Sequence, residues 1–277
     1  MWSVRVVARD DLRLTRARWR GPAARAPAKL ALWADLHVSG DPAAEAFGFL
    51  PDENLAAAVE QTIAAAPDIV LVNGDLARDG GLAPDYARLR ERLAPLLERL
   101  PLAFVPGNHD HRERMLAGLG AEVKPAAEKS FVLVETQQSR LLLLDSLFRT
   151  DFVGGLVGRE QRRWAVELIE ESETPVHVVV HHPLHDDDQA LLDAPRLVET
   201  LAALPQVQTL FTAHDHAFAE NRVGELRLIA QPAIGMAFDP DGNVGWLEAE
   251  LGPERMDLRF RRIDPAASTA RRPPAEE

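Results

Sequence analysis

Three observations predict an α/β fold built on two sheets. Six short apolar runs each end on their C-terminal side in Asp, Asn or His. Helical periodicities fill several of the gaps between them, and after His216 the helical period gives way to strand-like segments. The runs are Leu30 to Trp33 before Asp35, Ile69 to Val72 before Gly74 and Asp75, Leu102 to Val105 before Gly107 to Asp110, Leu141 to Leu144 before Asp145, Val176 to Val180 before His181, and Val207 to Phe211 before His214. Runs rich in Val, Leu and Ile without polar alternation mark strands buried on both faces. In open sheets of strand–helix units, ligands gather beyond the carboxyl ends of the strands, where these polar residues stand.

The elements follow in chain order. Residues 1–28 read as a strand-like extension closed by a linker, Arg20 to Ala28, that holds Pro22 and Pro27. Leu55, Val59 and Ile63 share one helical face, as do Tyr86, Leu89, Leu93 and Leu97, then Trp164, Leu168 and Ile169, then Leu197, Leu201 and Leu204. Pro84 and Pro195 suit the first turns of two of these helices, where a missing N–H costs little. Phe131 to Val134 pairs by hairpin with Leu141 to Leu144 through the polar Glu135 to Arg140, and is expected to bridge the two halves of the sandwich. Leu226 to Ala230, Val244 to Leu251 and Met256 to Ile263, separated by Gly, Pro and Asp turns, read as the second sheet. One domain is expected over 29–264, followed by a disordered tail over 265–277 that is rich in Pro, Ala, Arg and Glu.

Composition narrows the function. A chain of 277 residues suits one catalytic domain. A net charge of −12 opposes binding to polyanions, so nucleic acid is disfavoured as a partner and a small molecule is expected. No apolar run approaches the roughly 20 residues of a membrane span, and residues 1–20 carry no signal-peptide core, so a cytoplasmic protein away from the membrane is expected. The oligomeric state is left open, since no insertion large enough to act as a dimerising cap is evident. With no cysteine, a metal site must be built from His, carboxylate, amide or backbone oxygen.

Asp35 and His37 stand two apart after a strand, where extended geometry points both side chains one way. Gly74 permits a turn close to a ligand, and Asp75 offers two oxygens able to bridge cations. Gly107-Asn108-His109-Asp110 joins an amide oxygen, an imidazole and a carboxylate in sequence. His181-His182-Pro183 ends the fifth run and His214-Asp215-His216 the sixth, the latter projecting two imidazoles to one side. Six of the 9 histidines lie in these segments: His37, His109, His181, His182, His214 and His216. Such a donor set suits Mn, Fe or Zn better than Mg. Asp145 is expected to bond loop backbone, and Asp186, Asp187 and Asp188 to lie in a solvated loop.

Together Asp35-Leu36-His37, Gly74-Asp75, Gly107-Asn108-His109-Asp110, His181-His182-Pro183 and Ala213-His214-Asp215-His216 resemble the calcineurin-like metallophosphoesterase signature, over roughly residues 30 to 216. Leu144-Asp145-Ser146 and Trp164 are most similar to the bacterial class III cyclic-nucleotide and glycerophosphodiester phosphodiesterase branch. The resemblance implies a four-layer α/β/β/α sandwich of two mixed sheets and two divalent or trivalent metal ions. One ion would take Asp35, His37, Asp75 and His216; the other would share Asp75 and add Asn108, His181 and His214. His109 would be the catalytic histidine, with Asn108 and His109 beside the substrate, His182 a supporting residue, and His182 and His185 weaker substrate contacts.

The reaction implied is hydrolysis of a phosphodiester, a cyclic nucleotide first, by a metal-bridging hydroxide. A glycerophosphodiester, a phosphomonoester or a non-catalytic interaction scaffold on the same fold are the alternatives. Ala213 stands where the resemblance has glycine, a change that strains the backbone only if the position needs positive φ.

Overall fold

The apolar runs are buried on both faces because alternate residues serve different layers. In the strand Ala28–Trp33, Leu30 and Leu32 enter a core shared with Leu141, Leu143 and Val179, whereas Ala31 and Trp33 pack with Leu55, Leu89 and Leu93 of two helices. The computed structural model describes residues 2–9, 12–19, 28–120, 129–150, 152–252 and 256–264. Its strands are β1 (Trp2–Arg9), β2 (Leu12–Trp19), β3 (Ala28–Trp33), β4 (Ile69–Asn73), β5 (Leu102–Val105), β6 (Lys129–Glu135), β7 (Arg140–Leu144), β8 (Val176–Val180), β9 (Val207–Thr212), β10 (Ala219–Val223), β11 (Leu226–Ala230), β12 (Gly245–Leu251) and β13 (Met256–Arg262). The helices are α1 (Pro51–Ala65), α2 (Ala83–Leu97), α3 (Arg112–Gly118), α4 (Arg159–Glu170) and α5 (Ala194–Ala202).

Two mixed sheets form, one in the order β1-β2-β6-β7-β8-β9-β11-β10 and one in the order β13-β12-β3-β4-β5. One apolar core lies between the sheets. A second joins the smaller sheet to α1 and α2, and a third joins the larger sheet to α4 and α5. This is the expected four-layer α/β/β/α sandwich.

The strands divide between the sheets differently from the sequence expectation. The second sheet is not made from the C-terminal strands alone: β12 and β13 join β3, β4 and β5, while β11 runs parallel to β9 in the larger sheet. Apolar content reports burial but not the partner, so the six runs could not be sorted into three and three. The hairpin β6–β7 lies wholly within the larger sheet rather than bridging the two. The N-terminal extension forms the hairpin β1–β2, which continues that sheet through parallel pairing of β2 with β6. Arg16 and Arg18 from β2 bind the Glu135 carboxylate at the end of β6, at 2.7 and 3.2 Å. Most of the expected linker, 20–27, and the tail 265–277 lie outside the described residues. Among the described residues no helix is long and apolar enough to cross a membrane.

Candidate metal centre

Five strand ends, three from the smaller sheet and two from the larger, converge at one edge of the sandwich. Asp35 and His37 follow β3, Asp75 follows β4, Asn108 and His109 follow β5, His181 follows β8, and His214 and His216 follow β9. Asp35, His37, Asp75, Asn108, His181 and His216 are buried; His109 and His214 are partly exposed.

The backbone there is unusual. Asp35, His37, Asp75, His214 and His216 all adopt left-handed φ, at 51°, 47°, 48°, 73° and 55°. Each such residue costs about 1–3 kcal/mol and persists only where its surroundings enforce it. This corrects the extended geometry expected at Asp35 and His37. Left-handed residues alternate with Leu36 and Val38, which enter the helix-side core. The loop is fixed by Leu36 and His37 N–H groups donating to the Asp75 carbonyl at 2.8 and 3.0 Å, and by the Gly235 N–H donating to that of Asp35 at 2.9 Å.

His214 and His216 also adopt left-handed φ, and both rings reach the cluster, His214 beside Asn108 and His216 beside His37. Ala213 is not among the positive-φ residues, so its methyl brings no backbone strain; its N–H donates to the His181 carbonyl at 2.8 Å. Glycine is required at two other places. Gly74 has φ +80°, and a Cβ there would overlap the His181 ring; a Cβ on Gly107 would overlap the Asp75 carboxylate.

The side chains form two lobes joined by Asp75. In the first, His37 Nε2 lies 3.1 Å from His216 Nε2, which is 3.5 Å from Asp35 Oδ1. In the second, Asn108 Oδ1 lies 3.2 Å from His181 Nε2 and 2.9 Å from His214 Nδ1. Asp75 Oδ2 stands between them, 3.7 Å from His37 Nε2 and 3.3 Å from His181 Nε2. The donor atoms of Asp35, His37 and His216, and those of Asp75, His181 and His214, each lie within 4.8 Å of one another. His109 borders both: its Nε2 is 3.9 Å from Asp75 Oδ2.

These residues fit metal ions by a direct test. Asp35 Oδ1 is buried without a hydrogen-bond partner among the described residues, as are the Nδ1 atoms of His37 and His216. Buried carboxylates need a countercharge, and among the described residues no Lys or Arg is paired with Asp35 or Asp75. Burial works against the charged forms, yet His216 and His181 hold Asp35 below the usual carboxylate range, and His181 above all holds Asp75 well below it. Burial pushes His37 down to about 3 and also lowers His214, leaving both neutral and able to ligate. His181 goes the other way, raised to about 10 against its burial by Asp75 and Asp35. Proton and metal therefore compete for it.

Several residues position the donors without being donors themselves. Asp110, fully buried, accepts from the Leu76, Ala77 and Gly107 N–H groups at 3.0–3.1 Å and from Tyr86 Oη at 3.0 Å, tying the β4 and β5 loops together. The Asn73 carbonyl accepts from His181 Nδ1 at 2.9 Å, leaving Nε2 to face Asp75 and Asn108. Asp79 Oδ1 lies 3.4 Å from His109 Nδ1. Asp110 was visible as the carboxylate of Gly107-Asn108-His109-Asp110 but without this role, and Asp79, four residues beyond Asp75, is indistinguishable in sequence from an ordinary loop acid.

His182 is fully buried, with Nδ1 2.7 Å from Ser146 Oγ and its ring stacked on His214. Its contacts are with Ser146 and with the rings of His181 and His214. His185 is exposed and pairs with Asp215 at 2.7 Å. Asp145 meets Arg112 at 2.7 Å and accepts from the Ser130 and Leu147 N–H groups at 2.9 and 3.1 Å, a backbone-bonding role as expected. His111 caps the N-terminus of α3, and Asp186 to Asp188 are exposed.

A two-sheet sandwich carrying a two-lobed, thiolate-free His and carboxylate cluster at its strand ends defines a metallohydrolase of the dinuclear kind. Family comparison agrees: residues 28–218 match the model of the calcineurin-like phosphoesterase family, and the chain belongs to that family. It is a metal-dependent phosphoric ester hydrolase. The chain is 31% identical over 228 residues to a probable cyclic nucleotide phosphodiesterase of a Synechococcus species, covering 79% of this chain and 86% of that one. It is 31% identical over 250 residues to the 3′,5′-cyclic adenosine monophosphate phosphodiesterase CpdA of Pseudomonas aeruginosa, covering 86% and 88%. Among solved structures a dimetal phosphatase from Danio rerio superposes with a TM-score of 0.64 at 16% identity, covering 85% of this chain and 96% of that one, which shows the shared fold.

Proposed function

We propose that the chain hydrolyses the phosphodiester bond of a cyclic nucleotide, and that it does so in the cytoplasm, where such nucleotides are made. The observation that carries this reading is the complete two-lobed donor set joined by Asp75, in a chain whose relatives over most of its length are named cyclic nucleotide phosphodiesterases.

Asp35, His37, Asp75 and His216 would hold one ion, and Asp75, Asn108, His181 and His214 the other. When bound, two such ions supply Lewis-acid polarisation of phosphoryl oxygens and an activated water at neutral pH. Mn, Fe or Zn suits the imidazole and carboxylate donors. The protein's own contribution is fixed geometry. Asp110 and Gly107 set the height of Asp75, Asn73 sets the tautomer of His181, and the enforced left-handed residues aim Asp35, His37, His214 and His216.

His109 is assigned a different task. It is partly exposed, and although its ring also groups with His37 and Asp75 within 4.8 Å, its Nδ1 lies beside Asp79 and its more open position sets its Nε2 towards the substrate instead of towards an ion. There it donates a proton to the leaving ribose oxygen, a step worth typically about 10² to 10⁴-fold. Asn108, whose amide oxygen faces the second lobe, has its NH₂ available for a phosphoryl oxygen.

Purified protein loaded with manganese, iron or zinc and offered 3′,5′- and 2′,3′-cyclic nucleotides, glycerophosphodiesters and phosphomonoesters tests the substrate. The reading expects the highest kcat/KM on a cyclic nucleotide. A preference for a monoester or a glycerophosphodiester would replace it.

A further inference from the structure

The mouth of the metal cluster carries an aromatic pair that neither catalysis nor folding uses. His216, assigned to the first lobe, is stacked face to face with Phe238, centroids 4.2 Å apart and planes within 8°. Phe238 meets Phe47 edge to face at 5.6 Å. Both phenylalanines are about half exposed, at 53% and 54%, and neither belongs to an apolar core. The two come from separate loops, one before α1 and one between β11 and β12.

Phe47 sits where local chemistry argues against it. Ala46 and Phe49 exchange backbone hydrogen bonds at 3.0 and 2.9 Å, closing a two-residue turn whose central residues, Phe47 and Gly48, both have positive φ, 50° and 80°. That is a type I′ turn, which favours Asn-Gly or Asp-Gly. A bulky aromatic with left-handed φ is an outlier. The base of the turn is anchored, since Ala46 and Phe49 are buried, but its tip holds an exposed ring in a disfavoured conformation. An outlier of this kind points to function.

Resting on the phosphodiesterase reading, we infer that Phe47 and Phe238 form a stacking platform for the nucleobase of the substrate. The pair is contiguous with the cluster through the Phe238–His216 stack, so a phosphate at the cluster leaves its attached nucleoside within reach of the rings. A base presents a π-face to stack on whatever its identity, and base–aromatic stacking is sequence-tolerant. The platform therefore confers a preference for nucleotides over simple phosphodiesters without choosing strongly among bases. The occupant is a planar base rather than a cationic headgroup, because two phenyl rings in T contact offer a broad apolar surface and do not enclose a cation as an aromatic cage does.

The test reads binding, so it is independent of turnover. Calorimetry on the full-length, manganese-loaded chain compares AMP, UMP and ribose 5-phosphate, with glycerophosphocholine against glycerol 3-phosphate as a second pair. Wild type should bind AMP about 10-fold or more tightly than ribose 5-phosphate. Phe47→Asn, which suits the turn and should keep or raise the melting temperature, should cut that ratio by about 10-fold. Phe238→Leu, which keeps an apolar side chain against His216, should reduce it too. A wild-type ratio near one, a ratio unmoved by Phe47→Asn, or a gain that follows choline instead of the base would each overturn the platform. If cyclic nucleotides prove poor substrates while AMP still outbinds ribose 5-phosphate through Phe47, the platform holds and the substrate reading fails.

Discussion

Asp75 and Asp145 both follow a buried strand, both are withdrawn from solvent, and they differ in what surrounds them. Asp145 has its charge answered by the protein: Arg112 binds both its oxygens at 2.7 and 2.9 Å, Lys129 lies 3.8 Å away, and two backbone N–H groups complete the shell. Asp75 and Asp35 each accept one backbone N–H, from His109 at 2.9 Å and His214 at 3.2 Å, and are otherwise faced by imidazoles, which can offer a lone pair as readily as a proton. A buried carboxylate does not by itself mark an active site. The mark is a buried carboxylate answered by imidazoles, which can exchange a proton for a metal ion, instead of by Lys or Arg.

Substitutions at the two regions should therefore fail in different ways. Asp75→Ala should have the largest effect, abolishing phosphodiesterase activity and lowering the metal content of both lobes while the protein stays folded. Two ions per chain in that variant, by elemental analysis, would break the distinction. Arg112→Ala should do the reverse. It strands a buried carboxylate, so unfolding free energy should fall by about 3–5 kcal/mol in denaturant titrations with the metal content kept.

Acid should reveal the same contrast. Arg112 and Lys129 outweigh burial and hold Asp145 below its usual value of 3.8. A depressed folded-state pKa gives stability that is present above 3.8 and lost as pH falls through that value towards the folded one. Arg112→Ala should flatten this acid limb, as seen in melting temperature against pH.

His109→Ala sharpens the picture inside the site. Both metals should remain, and turnover of a cyclic nucleotide should drop by about 10² to 10³-fold, with a clearly smaller loss on a nitrophenyl diester whose leaving group needs no proton. Equal losses on both substrates would assign His109 to charge stabilisation instead. The smallest effect is expected at the rim. Neutralising Asp186 to Asp188 should raise cyclic nucleotide turnover only slightly, and only at low salt, because exposed charges are screened.

The sequence disclosed donors better than geometry. Asp35, His37, Asp75, Asn108, His181, His214 and His216 stood out because polar residues at the ends of apolar runs share one sheet edge whatever the detailed path. The left-handed backbone of Asp35, His37, Asp75, His214 and His216 was not legible, since Asp and His carry no strong signature of positive φ as glycine does. Nor was the clamp by Asp110, because a residue that bonds the distant Leu76 and Ala77 N–H groups as well as that of Gly107 looks in sequence like any Asp in a turn. Strands and helices were readable from periodicity and the four layers from the family resemblance, but the sheet to which each strand belongs depends on long-range pairing that local pattern does not encode. The hairpin β1–β2 shows the same gap: its strand character was visible, and its parallel seat against β6 was not.

Metal stoichiometry joined to activity tests the dinuclear centre most directly. Protein purified without chelator, stripped, and titrated back with Mn²⁺ should bind two ions per chain, with phosphodiesterase activity absent when stripped and restored as the second ion binds. A chain that keeps full activity when stripped, or reaches it with a single ion bound, would contradict a centre bridged by Asp75.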